Sequence, residues 1–157
     1  MIIDSHQHFW NYDPIKDAWI DASMKVIRRD FLPKDLKPLL DKNGIDGCIA
    51  VQADQSENET DFLLSCAQKN KFIKGVVGWL DLTSENLESR LDYYIKNPFF
   101  KGLRHIVQAE KNDYLLRDDV QNGISKLANY NLTYDILVFP SQLNAAIALV
   151  KKFPNQQ

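Results

Sequence analysis

Apolar and polar positions along this chain switch between two periods, and the switch recurs from one end to the other. Short apolar runs of strand length are followed by segments whose apolar residues recur every three or four positions, the spacing of a helix with one buried face. The first run, 2–8, is Ile2-Ile3-Asp4-Ser5-His6-Gln7-His8, apolar at its start and polar at its end. The others are 47–52, 73–80, 102–107 and 132–138. Helices are predicted near 34–43, opened by Pro33 and closed by Asn43-Gly44, and over 58–70, after the polar turn Asp54-Gln55-Ser56-Glu57. A third begins after Thr83-Ser84, with Leu87, Leu91 and Tyr94 at helical spacing, and two more cover 117–129 and 141–152.

Five βα units in series predict a parallel sheet with right-handed crossovers. If each strand is added on the same side as the last, the sheet curls into the arc of a barrel. If the order reverses, it opens into a doubly wound sheet with a crevice at the switch point. Polar residues at the strand ends, His8, Gln52, Asp81, Arg104 and Asp135, would converge on one mouth of a barrel. No glycine-rich phosphate loop follows the first strand, which weakens the nucleotide-binding alternative. The long connection from Phe9 to Phe31 carries Trp10, Tyr12, Trp19, Arg28 and Arg29. It reads as a lid over a site, or as a surface loop held by its own aromatics. No linker or low-complexity stretch divides the chain.

Composition narrows the partners. The chain has 157 residues, 45% of them hydrophobic, and a net charge of -2 with no basic run. Nucleic acid and anionic membranes are therefore poor partners. No apolar run approaches a membrane span, and Asp4 and His6 interrupt any secretory signal. Cys48 and Cys66 fit neither a metal spacing nor a disulfide framework, and read as buried free thiols in a reducing cytoplasm.

The candidate chemistry lies at the strand ends. Alternation along the first strand places Asp4, His6 and His8 on one face. Two imidazoles at i and i+2 can reach one divalent ion, and Asp4 could orient one of them from behind. A solvent-exposed pair with no ligand is the other reading. Arg104 and His105 are neighbours and must face opposite ways. Arg104 shares parity with Ile106 and Gln108 and is expected in the mouth, as a fixed cation for a carbonyl oxygen or a substrate carboxylate, or as a rim ion pair. His105 is then expected between sheet and helices, as is Tyr134. Gln52 and Asp54 share a face and could bind hydroxyls, though Asp54 also suits a turn or cap. Trp79 and Asp81 share a face, Trp79 either stacking on a ring or packing. Asp135, in an apolar strand, needs a partner such as Arg104.

Ile3-Asp4-Ser5-His6-Gln7-His8-Phe9-Trp10 resembles the start of the amidohydrolase-related (amidohydrolase 2) family, in its sugar-lactone hydrolase branch of L-fuconolactonase-like and L-rhamnonolactonase-like proteins. The resemblance continues through Cys48-Ile49-Ala50-Val51-Gln52-Ala53 with Gln55-Ser56-Glu57, Gly75-Val76-Val77-Gly78-Trp79-Leu80-Asp81-Leu82, Lys101-Gly102-Leu103-Arg104-His105 and Leu132-Thr133-Tyr134-Asp135. The histidine pair alone is shared by many hydrolases; the ordered set is far more specific. The resemblance implies a (β/α)8 TIM barrel of which this chain supplies the first five units, and hydrolysis of a small sugar-acid lactone by an activated water. It also implies a divalent metal, zinc by preference, which some members of the branch do not hold tightly, and leaves a homo-oligomer open. The family brings a further histidine on its sixth strand and an aspartate general base on its last, and no histidine follows His105 here. By this resemblance the chain is expected to be the N-terminal portion of a longer barrel, inactive when isolated. The rival readings are a non-oxidative decarboxylase of the same barrel superfamily, against which the fourth and fifth strand motifs speak, and a noncatalytic fragment or interaction module.

Overall fold

The strands are β1 (Ile3–Gln7), β2 (Gly47–Val51), β3 (Ile73–Gly78), β4 (Phe100–Ile106) and β5 (Thr133–Leu137), in a computed structural model that describes residues 1–157. All four pairings are parallel and the sheet order is β1-β2-β3-β4-β5. No strand crosses over another, so the doubly wound alternative is excluded and the sheet curls as an arc of a barrel. The helices α1 (Pro33–Lys42), α2 (Glu57–Lys69), α3 (Leu87–Tyr94), α4 (Asp118–Leu127) and α5 (Leu143–Lys152) alternate with the strands along the chain.

Local chemistry sets the helix ends. Pro33 opens α1, and the carboxylate of Asp35 accepts from the Leu32 N–H at 2.9 Å. Gly44, at φ +67°, takes the left-handed turn that ends it. Ser56 caps α2, its Oγ accepting from Glu59 N–H at 3.2 Å. Helix α3 begins only at Leu87, because Asp81 and Ser84 accept from the Thr83 and Asn86 N–H groups and hold the preceding residues in turns.

The core lies between sheet and helices. Cys48, Ala50, Ile73, Val76, Leu103 and Tyr134 from the strands pack with Leu40, Leu63, Leu91, Ile124 and Leu149 from the helices. Each such large side chain contributes roughly 1.5–3 kcal/mol by leaving water. Val51, Val77 and Arg104 lie outside this cluster, on the concave face. Gly102 lets β5 approach β4, since a Cβ there would stand 2.0 Å from Thr133 Oγ1. Both thiols are buried and unpaired, and burial pushes that of Cys48 up to about 12. Beyond α5 the carbonyl of Gln157 accepts from Tyr134 N–H at 2.8 Å, along the outer edge of β5. No helix is long and apolar enough to cross a membrane.

Candidate functional site

The histidines reach the mouth through an irregularity in β1. Asp4 pairs with Cys48 and Gln7 with Ala50, so β1 uses one more residue than β2 over the same interval. Asp4 and Gln7 therefore share the helix-facing side of Cys48 and Ala50, and both act on the Cys48 thiol. His6 and His8 turn the other way and line the cavity at the mouth. Asp4 is thus separated from the imidazoles. Its carboxylate accepts from the backbone N–H of His6 at 3.1 Å, and the expected shared face with His6 and His8 is corrected by this extra residue.

The two rings stand nearly perpendicular at 86°, with His6 Nε2 and His8 Nε2 3.3 Å apart. His8 Nδ1 donates to the carbonyl of Val51 at 2.8 Å, which leaves its Nε2 as a lone pair. Burial lowers the His8 pKa, with Arg104 and His6 adding to the effect against the Val51 bond, so the ring is neutral at pH 7. His6 Nε2 also lies 3.2 Å from Arg104 Nη1. If His6 Nε2 accepts from Arg104, two lone pairs face each other; if it carries a proton toward His8, it opposes an Arg104 donor. A cation between the rings resolves the first conflict by taking both lone pairs. Two nitrogens held at zinc–imidazole distances in tetrahedral array are about 3.3 Å apart, so the pair fits two ligand positions of such an ion. No third His, Cys, Asp or Glu completes a cluster with them.

Arg104 is 6% exposed. Its Nη2 donates to the Gln52 carbonyl, and Gln52 Nε2 donates back to the Arg104 carbonyl at 3.1 Å, while Nε has no partner. Burial draws the guanidinium pKa down, Asp135 partly opposing this. The cavity in front of these groups is about 750 Å3. Its floor is His6, His8, Arg104, Ile106, Gln108 and Leu137, and the long loop 9–31 walls it with Trp10, Lys16, Trp19 and Ile20. An antiparallel bridge between Trp10 and Phe31 closes the base of that loop, their rings 4.5 Å apart.

The other candidates divide. Asp54 lines the cavity and pairs with Lys16 at 2.9 Å, its carboxyl lowered by that lysine and Ser56 against the effect of burial. Asp135 is the register partner of Arg104, half-buried beside the cavity, with no ion pair within 4.0 Å; burial raises its carboxyl, His6 and Arg104 opposing. Gln52 is fully buried and holds β4 rather than facing the cavity. Trp79 and Asp81 lie outside it as well. Strand β3 ends at Gly78, so strand parity no longer governs them. Trp79 Nε1 donates to His105 Nδ1 at 3.2 Å, and Asp81 accepts from Thr83 at 2.9 Å. His105 faces the helices, stacked on Tyr114 with Nε2 3.1 Å from Glu110. Lys16 and Glu59, both in the cavity lining, carried no strand or motif signal.

Comparison with known proteins agrees with this architecture. The amidohydrolase (amidohydrolase 2) family model matches residues 3–156. The chain is 33% identical over 153 residues to an L-fucono-1,5-lactonase of Burkholderia ambifaria, covering 97% of this chain and 53% of that protein. It is 40% identical over 143 residues to an L-fucono-1,5-lactonase of Burkholderia multivorans, covering 90% and 48%. A crystal structure of an amidohydrolase from Burkholderia multivorans with bound zinc superimposes at a TM-score of 0.94, with 36% identity over 99% of this chain and 55% of that one. The chain spans about half the length of the curated relatives it matches. A match running from the first strand to the penultimate residue, on a backbone that follows a solved amidohydrolase this closely, makes this chain a member of the amidohydrolase family.

Proposed function

We propose that the protein hydrolyses the ester bond of a small sugar-acid lactone. The observation that carries the reading is the meeting at His6 Nε2 of His8 Nε2, 3.3 Å away, and Arg104 Nη1, 3.2 Å away, at the floor of a single cavity. Relatives named for lactone hydrolysis support the choice of substrate.

Opening a lactone adds water across the acyl C–O bond, and negative charge develops on the carbonyl oxygen. Arg104 supplies fixed positive charge for that oxygen. Its position is set by Gln52, whose carbonyl and side-chain amide hold both ends of the residue. His8 is kept neutral by burial, and Val51 fixes which of its nitrogens is free. His6 and His8 would hold a divalent metal such as zinc, whose chemistry is to polarise a carbonyl or acidify a water. The loop residues Trp10, Trp19 and Ile20 give the cavity wall apolar surface. The test is a pH-indicator assay across a panel of aldonolactones, run on the eight-unit barrel that the family resemblance implies, since the five units alone are expected to be inactive. Turnover of at least one sugar-acid lactone is expected, and inertness toward all of them refutes the reading.

A further inference from the structure

Lys16, Asp17, Asp54 and Glu59 line the same cavity, and the mechanism above uses none of them. Lys16 reaches in from the loop 9–31 and pairs with Asp54 just beyond β2, so one charge of each sign is already matched. Glu59 differs. It sits in the first turn of α2, fixed there by the Ser56 cap, and is 6% exposed. Its Oε1 accepts from Ala53 N–H at 3.1 Å, with the Asp54 N–H also directed at the carboxylate. A carboxylate has about four lone-pair sites, and those of Glu59 left without a protein donor open to the cavity. Burial raises its carboxyl pKa, with the Ala53 bond and Lys16 opposing.

Idle acceptors beside a cavity call for donors, and the nearby cation is committed to Asp54. Neutral hydroxyl groups are the fitting donors. The indoles of Trp10 and Trp19 line the same space and offer flat apolar surface to a ring. We propose that Glu59, beside the Lys16–Asp54 pair, recognises the hydroxyl groups of a polyhydroxylated ring and so determines specificity in this cavity. This inference rests on the lactonase reading for the ring's identity.

The experiment compares Glu59→Leu, Glu59→Gln and Lys16→Met on two six-membered lactones, a fully hydroxylated aldono-1,5-lactone and δ-valerolactone. Losing a hydrogen bond to a charged group corresponds to about 10–100-fold. Glu59→Leu is expected to lower kcat/KM for the hydroxylated ring by that factor, mainly through KM, and far less for the bare ring. Glu59→Gln keeps an acceptor and recovers part of the loss, and Lys16→Met shifts the ratio in the same direction as Glu59→Leu. If Glu59→Leu does not fold, the other two variants carry the test. An equal loss on both rings, residing in kcat, would make Glu59 a proton-transfer group and overturn the proposal, as would an unchanged ratio. Inertness toward the whole aldonolactone panel would fail the lactonase reading separately; where neither of these two rings is turned over, specificity is read from quenching of tryptophan fluorescence. Tighter binding of the hydroxylated ring that Glu59→Leu abolishes supports the inference, and equal binding by both proteins overturns it.

Discussion

Replacing Arg104 by methionine should separate activity from stability. The guanidinium is 6% exposed, donates to Gln52 and lies within 3.2 Å of His6, and leaves Nε without a partner. No carboxylate forms an ion pair with it, although Asp135 is its neighbour across the strands. Its removal forfeits hydrogen bonds from a charged donor, about 1.5–3 kcal/mol each. It also releases the desolvation penalty of an unpaired buried cation, several kcal/mol. Methionine fills most of the vacated volume. The terms nearly cancel, so the net change should stay within about 2 kcal/mol, a shift of at most about 8 °C in Tm for a chain of this size. The chemical step loses its fixed positive charge, and kcat should fall by about 10²–10³. Calorimetric melting and the lactone assay on one preparation measure both. A destabilisation above about 3 kcal/mol would show that Arg104 is structural, and near-normal kcat in a well-folded variant would remove it from the mechanism.

Three further outcomes are expected. His8→Ala should weaken zinc binding by more than the roughly 10–100-fold that follows loss of an outer partner of a metal ligand; plasma emission after dialysis reads this, and equal zinc in both proteins contradicts the paired site. Gly123→Ala should destabilise by about 1–3 kcal/mol on thermal melting despite alanine's advantage of roughly 1 kcal/mol in helices, because the new Cβ would stand 2.1 Å from the Leu82 carbonyl oxygen; a stabilised variant contradicts the packing. Asp135 has a folded pKa above its ordinary value of 3.8, chiefly through burial, so the folded state holds its proton longer and stability falls as pH rises through the window upward from 3.8. Asp135→Asn should therefore gain stability over the parent at pH 7 and lose that advantage by about pH 3, as denaturation midpoints across this range will show; a pH-independent difference contradicts the assignment.

The architecture was legible because it rests on periodicity. Runs at 47–52 and 73–80 became strands, and the 3.6-residue spacing of Leu87, Leu91 and Tyr94 became a buried helix face. Side-chain direction was legible only where a strand is regular. Strands β4 and β5 pair without a register shift, and there Arg104 turns to the mouth while His105 turns to the helices, as alternation requires. Alternation fails for Trp79 and Asp81 because the strand has already ended, and their directions follow the turns that succeed it. Gln52 has the composition of a hydroxyl-binding residue, yet the neighbouring Arg104 carbonyl claims its amide. Lys16 and Glu59 were not legible at all. The first is placed by a long loop that returns over the sheet, and the second by the opening turn of a helix.

The irregularity in β1 separates Asp4 from the histidines and lets the histidines meet. With regular alternation, a helix-facing Asp4 would carry His6 and His8 to the helix side with it, into the layer that holds Cys48 and Ala50. The extra residue between Asp4 and Gln7 reverses parity once. The start of the strand then stays with the core, and its end presents both imidazoles to the cavity. Bulges recur beside active sites because a single inserted residue can re-aim a side chain without disturbing the rest of the sheet. In β1 this irregularity brings the ring nitrogens to 3.3 Å, and from His6 the contact to Arg104 crosses the concave face from one edge strand to the next-to-last. The meeting of the two imidazoles therefore depends on the one interval of β1 where periodicity breaks down, and that interval is invisible to any reading based on period alone.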